Sequence, residues 1–174
     1  MTLEKKLQEI LFLIKHHKYK ELIPKIHELL KKKYKSIQLY GNLGLSYLNL
    51  NKNYLAIKYF LKIKEIDKND IRANHNLGLA YSRINEIENS AKHYNQALES
   101  VKEGPFFLIT LIEYLELLLT NHKMDNAVKL IEKYMDKIPI DLRFFFDTAF
   151  FNIKFKDEKI FIKNLKNIEK KIDN

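Results

Sequence analysis

Residues 40–47 read YGNLGLSY, and residues 74–81 read NHNLGLAY, so the same pattern returns after 34 residues. Further along the chain, residues 56–60 read AIKYF and residues 90–94 read SAKHY at the same displacement. A fixed period of roughly 20–50 residues is typical of repeat proteins, in which each copy is one supersecondary unit. The sequence therefore predicts consecutive copies of a single unit, and this prediction decides the fold.

The two copies resemble tetratricopeptide repeats, whose pattern is W-x2-L-G-x2-Y, then A-x3-F, then a proline. Tyr40 stands in the place of the tryptophan, and Lys68 in the place of the proline. Weaker copies continue the phase towards both ends, so the resemblance covers the whole chain. It implies repeats at about residues 3–36, 37–70, 71–104, 108–141 and 142–173.

The resemblance implies an all-α fold, a right-handed superhelical solenoid of about five antiparallel helix pairs that forms one domain over residues 1–174. The composition agrees, because only 4 Gly and 3 Pro in 174 residues leave few breaks between long helices. The repeat phase predicts ten helices, at approximately residues 3–16, 19–33, 37–50, 53–66, 71–84, 87–101, 106–120, 124–137, 141–155 and 157–171.

Two kinds of residue mark the predicted turns and breaks. Asn51, Asn85 and Asn121 fall at or near the turns within helix pairs, where asparagine tolerates unusual backbone angles. Pro24 falls inside the predicted second helix, where a proline removes a backbone donor. It is expected either to kink that helix or to move its start to about Leu22.

Gly44 and Gly78 occupy the middle of predicted helices, where a glycine costs about 1 kcal/mol relative to alanine. Because both lie at the same repeat position, they predict a close approach of two helices rather than flexibility. Ala56 and Ser90 are the small residues expected on the helix opposite.

The composition excludes several function classes. The absence of cysteine excludes disulfides, thiolate metal sites and cysteine nucleophiles. The longest apolar run near the start, residues 10–14, is too short for a secretory signal or a membrane span. We therefore expect a cytoplasmic protein.

The implied function is the binding of a partner protein, by a peptide or helical segment, in the concave groove that the first helix of each repeat lines. Residues on those helices that are not at the shared structural positions are expected to face the groove. They are Gln38, Asn42, Leu45 and Asn49 from the second repeat, Arg72, His75, Asn76, Leu79 and Arg83 from the third, and Ile112, Glu113 and Glu116 from the fourth.

Asn42 and Asn76 each precede a Leu-Gly pair and resemble the asparagine ladder with which some family members hold an extended peptide. A side-chain amide both donates to and accepts from a peptide unit, so the role is chemically sensible. The alternative is that asparagine is simply common in this chain. The lysines with which other members clamp a terminal carboxylate are missing, and Glu113 would repel such a group.

No sequence pattern indicates a catalytic site, a metal site or a cofactor site, and we expect a non-enzymatic scaffold. The six histidines form no H-E-x-x-H motif, and no phosphate-cradling glycine loop or nucleophile motif occurs. Glu113 and Glu116 lie three residues apart on one helical face and could act as an acid/base pair, but exposed like charges are far commoner.

The net charge of +9 supports a second hypothesis, a basic surface that binds nucleic acid or an anionic membrane. Lysines cluster in residues 15–35 and 154–171, against a total of 28 Lys and 3 Arg. A solvated convex face in a lysine-rich chain is the alternative. A dense aromatic group suggests a partner surface or a homo-oligomer through the C-terminal region; it comprises Phe144, Phe145, Phe146, Phe150, Phe151 and Phe155.

Overall fold

The computed structural model describes residues 3–32, 36–140 and 142–143, and every regular element in these ranges is helical. A 3₁₀ turn, Met135–Lys137, follows the last α-helix. The predicted helix 157–171 lies outside the described residues, as does most of the predicted helix 141–155. The α-helices are α1 Leu3–Lys15, α2 Tyr19–Lys31, α3 Ile37–Asn49, α4 Asn53–Ile66, α5 Ile71–Ser82, α6 Ile87–Ser100, α7 Pro105–Thr120 and α8 Met124–Tyr134.

The chain divides into two compact units, Met1–His93 and Tyr94–Asn174, with the boundary inside α6. In the first unit α1 packs on α2, α2 on α3, α3 on α4 and α4 on α5. In the second unit α7 packs on α8. The prediction of a single domain over residues 1–174 stays a prediction.

The turns within the helix pairs repeat one backbone conformation. His17, Asn51, Asn85 and His122 all have positive φ, between 53° and 61°. The first three are 34 residues apart, and the fourth follows the three-residue insertion that the sequence predicts before the fourth repeat. At each turn the next residue donates its N–H to the carbonyl five positions earlier, as Lys52 does to Tyr47 at 2.8 Å. This left-handed C-terminal cap ends one helix and starts the next.

The prediction for Asn51 and Asn85 is therefore confirmed, whereas the fourth turn uses His122 instead of Asn121. Asn121 keeps a negative φ of −105° and donates its side-chain amide to the Leu117 carbonyl at 2.8 Å. The histidine at the first turn, His17, holds its ring Nδ1 2.9 Å from the Tyr19 hydroxyl.

The close helix approach predicted at the mid-helix glycines is confirmed at Gly44. A Cβ added there would lie 2.7 Å from Cδ1 of the buried Phe60 on α4, a distance that real Cβ atoms do not show. In the next repeat the buried Ser90 hydroxyl donates to the Gly78 carbonyl at 2.7 Å. A small residue on α6 thus meets the backbone of α5 directly.

Pro24 lies inside α2, which begins at Tyr19, so the expectation that the proline moves the helix start to Leu22 is wrong. The pyrrolidine is exposed, and the buried face of α2 is formed by Leu22, Ile26 and Leu29. The apolar face outweighs the loss of one backbone hydrogen bond.

In the second unit α7 is apolar around most of its surface, and ten of its residues are buried. Gly104 has a φ of 101° directly before Pro105, the first residue of the helix, which is the position where a proline fits best. None of the helices in the described residues is both long enough and apolar enough to span a membrane.

Candidate functional site

A cleft of about 650 Å³ opens within the unit Met1–His93. Its walls are α3, the last turns of α4, the loop after α4 and the first turns of α5. The lining residues are Ile37, Gln38, Gly41, Asn42, Leu45, Phe60, Ile63, Asp67, Asn69, Asp70, Ile71, Arg72, Ala73 and Asn76.

The inner lining of the cleft is apolar. Phe60 and Ile63 are buried in the core, and Leu45 is exposed at the cleft although it is a large apolar residue. Gly41 adds no side chain to the wall, and the space where its Cβ would sit is 3.8 Å from Cδ1 of Ile63. The cleft can therefore bury apolar side chains of a ligand against preformed walls.

The rim of the cleft carries side-chain amides from both first helices. Asn76 donates its amide nitrogen to the Arg72 carbonyl at 2.8 Å, which leaves its amide oxygen as an acceptor. The half-buried side chain of Asn42 makes no hydrogen bond to any residue that the structure describes. Asn42 can therefore both donate to and accept from the main chain of a ligand.

Two carboxylates approach the cleft from the loop between α4 and α5. Asp70 caps α5 by accepting from the Ala73 N–H at 2.7 Å, and Asp67 accepts from the Asn69 N–H at 2.9 Å. Arg72, in the first turn of α5, also lines the cleft. The lining thus carries two negative side chains and one positive side chain.

The acidic loop was missed by the sequence reasoning, which took only first-helix positions as groove residues. The sequence did contain a signal. Asp70 directly precedes an apolar-periodic helix, the usual place of an N-cap, and a cap residue must lie at the end of the helix that lines the cleft.

Five of the predicted groove residues line this cleft, and the four others of the first unit do not; they are Asn49, His75, Leu79 and Arg83. Asn49 is exposed and donates its side-chain amide to the Leu45 carbonyl at 2.9 Å. Leu79 is half-buried against the core of the unit. Arg83 donates from Nη1 to the Leu48 carbonyl at 2.9 Å, where a cation favourably meets the C-terminal end of α3. The five that the cleft brings together are Gln38, Asn42, Leu45, Arg72 and Asn76.

Two predicted groove residues are corrections, because their side chains are buried. His75 is 8% exposed, and burial lowers the pKa of its imidazole to about 4, so the ring is neutral at pH 7. Ile112 is 0% exposed. Each side chain is therefore packed inside its own unit instead of facing a groove.

The remaining two predicted residues, Glu113 and Glu116, are half-buried in the unit Tyr94–Asn174. The Glu113 carboxylate accepts from the Tyr94 hydroxyl at 3.0 Å. This bond gives Glu113 a structural role inside its own unit. In the described residues no three or more His, Cys, Asp or Glu side chains gather as metal ligands would.

A buried polar group occupies the position of the family tryptophan in the third repeat. Asn74 is buried, and its Oδ1 accepts from the Lys64 ammonium and lies 3.2 Å from Nδ1 of His93. The His93 ring also stacks on Tyr81 with ring centroids 5.5 Å apart. Burial, followed by the nearby Lys92 and Lys68, lowers the pKa of Lys64. Neighbours therefore satisfy an amide where the family usually places an aromatic ring.

Two lysines of the first cluster are paired with carboxylates, since Lys25 lies 2.9 Å from Glu9 and Lys18 lies 3.5 Å from Glu21. Glu28, an acidic residue within the cluster, is contacted by Lys6 from outside it. Part of this charge is thus balanced at the surface. Residues 33–35 of that cluster, the second lysine cluster at 154–171 and all six phenylalanines between Phe144 and Phe155 lie outside the described residues.

The comparisons with known proteins agree with the repeat pattern. A family model for the tetratricopeptide repeat matches residues 37–70, and a model described as YpiA-like, C-terminal tetratricopeptide repeats matches residues 72–141. A search of curated proteins finds no significant match.

Among solved structures, the chain is similar to one titled "MamA MSR-1 C2". The TM-score is 0.64 at 12% sequence identity, over 97% of this chain and 94% of that chain. A likeness at this identity shows the fold alone. Together with the family models it confirms the predicted all-helical repeat fold.

Proposed function

We propose that this chain, which is a tetratricopeptide repeat protein, is a scaffold that binds a segment of a partner protein in the cleft between α3 and α5. Repeats of this family generally mediate contacts between proteins, and the matched repeats include every residue that lines the cleft except Ile71. The proposed role of the cleft is to bind the segment, without catalysing a reaction.

The observation that carries the proposal is the combination of an apolar inner wall with amides on the rim. An extended peptide has main-chain donors and acceptors that must find partners when water is removed. Asn42 and Asn76 offer such partners from equivalent positions 34 residues apart. Leu45, Phe60 and Ile63 offer apolar contact for the side chains between them.

The charges of the lining favour one kind of segment. Because Asp67 and Asp70 outnumber Arg72, a segment with a Lys or Arg side chain near the loop gains attraction, whereas a strongly acidic segment is repelled. The cleft therefore fits an apolar segment that carries a basic residue. Such charge placement sets register and specificity more than affinity.

The test begins with a displayed peptide library selected against the full chain. The affinity of the best peptide is then measured by calorimetry for the wild type and for Asn42→Ala/Asn76→Ala. Each lost amide contact is expected to cost about 0.5–1.5 kcal/mol, so the double change should weaken binding roughly five- to a hundredfold.

The matched control is Asn89→Ala/Asn126→Ala, which removes two exposed amides outside the cleft. The control should bind the peptide as the wild type does. Equal affinity for the wild type and for Asn42→Ala/Asn76→Ala would remove the cleft as the binding site.

A further inference from the structure

The first helix exposes large apolar side chains on the side opposite the core. Leu7 is 43% exposed, Leu11 65% and Phe12 53%, whereas Ile10 and Leu13 are buried. We call these three side chains the outer face of α1. They lie on one side of the helix, because residues 4, 7, 8, 11, 12 and 15 follow a spacing of three and four.

The repeat phase shows what the same positions do in the later repeats. Phe12 is equivalent to Ser46 and Ala80, which lie 34 and 68 residues further on and are both buried. Leu7 is equivalent to Gly41 and to His75, which is also buried. Two of the three positions are thus buried or half-buried in the later repeats and open in α1, whereas Leu11 is equivalent to Leu45, which is also exposed, and to the half-buried Leu79.

An open apolar surface on a helix marks an interaction site. The outer face of α1 therefore has the character of an interface.

The charges at the ends of the outer face suit a second copy of the same helix. Glu4 lies on this stripe at the N-terminal end of α1, and Lys15 lies on it at the C-terminal end. Neither forms an ion pair with another residue that the structure describes. In an antiparallel pair of α1 helices, Glu4 of each copy would meet Lys15 of the other, while Leu7 would meet Phe12.

We propose that the outer face of α1 docks on the same face of a second copy, with the two α1 helices antiparallel about a twofold axis. Such an interface is self-complementary, as a twofold dimer requires. Three partly exposed side chains per copy bury much less than the roughly 1,200 Å² of a standard stable interface. The dimer is therefore weak and reversible.

Sedimentation velocity of the full chain tests the proposal over about 5–500 µM protein. The weight-average mass should rise with concentration towards twice the chain mass of 20.9 kDa. Leu11→Glu should keep the chain monomeric over the whole range, with unchanged helix content because this side chain is exposed. Tyr54→Glu, a matched change at an exposed aromatic residue on α4, should dimerise like the wild type.

The pairing geometry is tested by charge reversal. Glu4→Lys alone and Lys15→Glu alone each place like charges together twice, and each should raise the dissociation constant roughly two- to tenfold. An equal mixture of the two variants restores both opposite-charge contacts in the mixed dimer, and should regain wild-type association. Because mixing leaves the sequence of each variant unchanged, any regained association reports on the contact between positions 4 and 15 and not on the stability of α1.

Three results would overturn the proposal. A wild type that stays monomeric at the highest concentration shows that the outer face of α1 serves another partner or none. Dimerisation of Leu11→Glu equal to that of the wild type places the interface elsewhere. A mixture of the charge variants that associates no better than each variant alone excludes the antiparallel pairing.

Discussion

At Gly44 two helices approach so closely that one added carbon atom would disturb the packing of the repeat. Gly44→Ala should destabilise the chain by about 1–3 kcal/mol, because the new Cβ would lie only 2.7 Å from Cδ1 of Phe60. Gly41→Ala is the matched control on the same helix, since its Cβ would meet Ile63 at an ordinary 3.8 Å. The control should gain about 0.5–1 kcal/mol from helix propensity. Urea unfolding that ranks the two variants equally would contradict the contact.

His75 should make the stability of the first unit depend on pH. Burial lowers the pKa of His75 to about 4 in the folded chain, against about 6.5 in the unfolded chain, so the unfolded state binds the proton more readily. The stabilisation is complete above about pH 6.5 and is lost as the pH falls towards 4, by up to about 3 kcal/mol.

The measurement is the free energy of urea unfolding at pH 7.5 and 4.5 for the wild type and His75→Gln. Glutamine does not titrate, so the variant should lose much less stability than the wild type between the two pH values. Carboxylates that titrate in the same range affect both proteins alike. An identical loss in both would mean that His75 is protonated in the folded chain.

At the scale of the residue, the sequence predicts the packing role of the small residue Gly44 but not the burial of the polar residue His75. The role of Gly44 follows from a glycine at a fixed repeat position in a helix, where only close packing repays its cost. His75 was expected in the groove because it lies on a first helix and is not at one of the shared structural positions. Side chains next to each other on a helix differ by about 100°, and which of them is buried depends on packing that a single period does not specify.

At the scale of the element, a turn residue with a left-handed backbone conformation can be replaced by glycine to stabilise the chain. His122→Gly should stabilise the chain by about 0.5–1 kcal/mol, since glycine adopts the φ of 56° at no steric cost. Asn121→Gly is the adjacent control. It should destabilise the chain, because Asn121 has a negative φ and bonds to the Leu117 carbonyl. Thermal melts in which both changes act in the same direction would contradict the assignment of the turn.

The eight α-helices in the described residues were predicted to within about three residues, because the period and the turns restrict both ends of each one. The largest difference is at α8, which ends at Tyr134, with residues 135–137 wound as a 3₁₀ turn instead of the predicted α-helix. Helix ends commonly tighten in this way, and apolar spacing does not distinguish the two windings. The helix start at Tyr19 despite Pro24 likewise depends on tertiary packing.

At the scale of the whole molecule, the net charge of +9 raises the alternative of nucleic-acid binding. We expect any binding to single-stranded RNA or duplex DNA to be weak and salt-controlled, since lysine contacts act through counterion release. Fluorescence anisotropy should show an affinity loss of at least about tenfold between roughly 50 and 200 mM salt. Tight, sequence-dependent binding that survives high salt would favour the alternative over the scaffold.

The candidate site was predicted in part. Five of the residues expected in the groove, from two first helices, line the cleft together, and their role in binding a partner stays a prediction. The acidic side chains Asp67 and Asp70 were not anticipated, because they lie on a loop whose path relative to the helices is a matter of tertiary structure. They favour a ligand with a basic residue near the loop, because they add negative charge to the cleft lining.

The cleft between α3 and α5 is the proposed binding site for a segment of a partner protein. Amide chemical shifts of the isotope-labelled chain, recorded while the selected peptide is titrated, show whether the peptide binds there. The largest shifts should occur at Gln38, Asn42, Leu45, Arg72 and Asn76, with saturation at one peptide per chain. Shifts confined to the lysines of residues 15–32 or to the unit Tyr94–Asn174, with the cleft unchanged, would contradict this proposal.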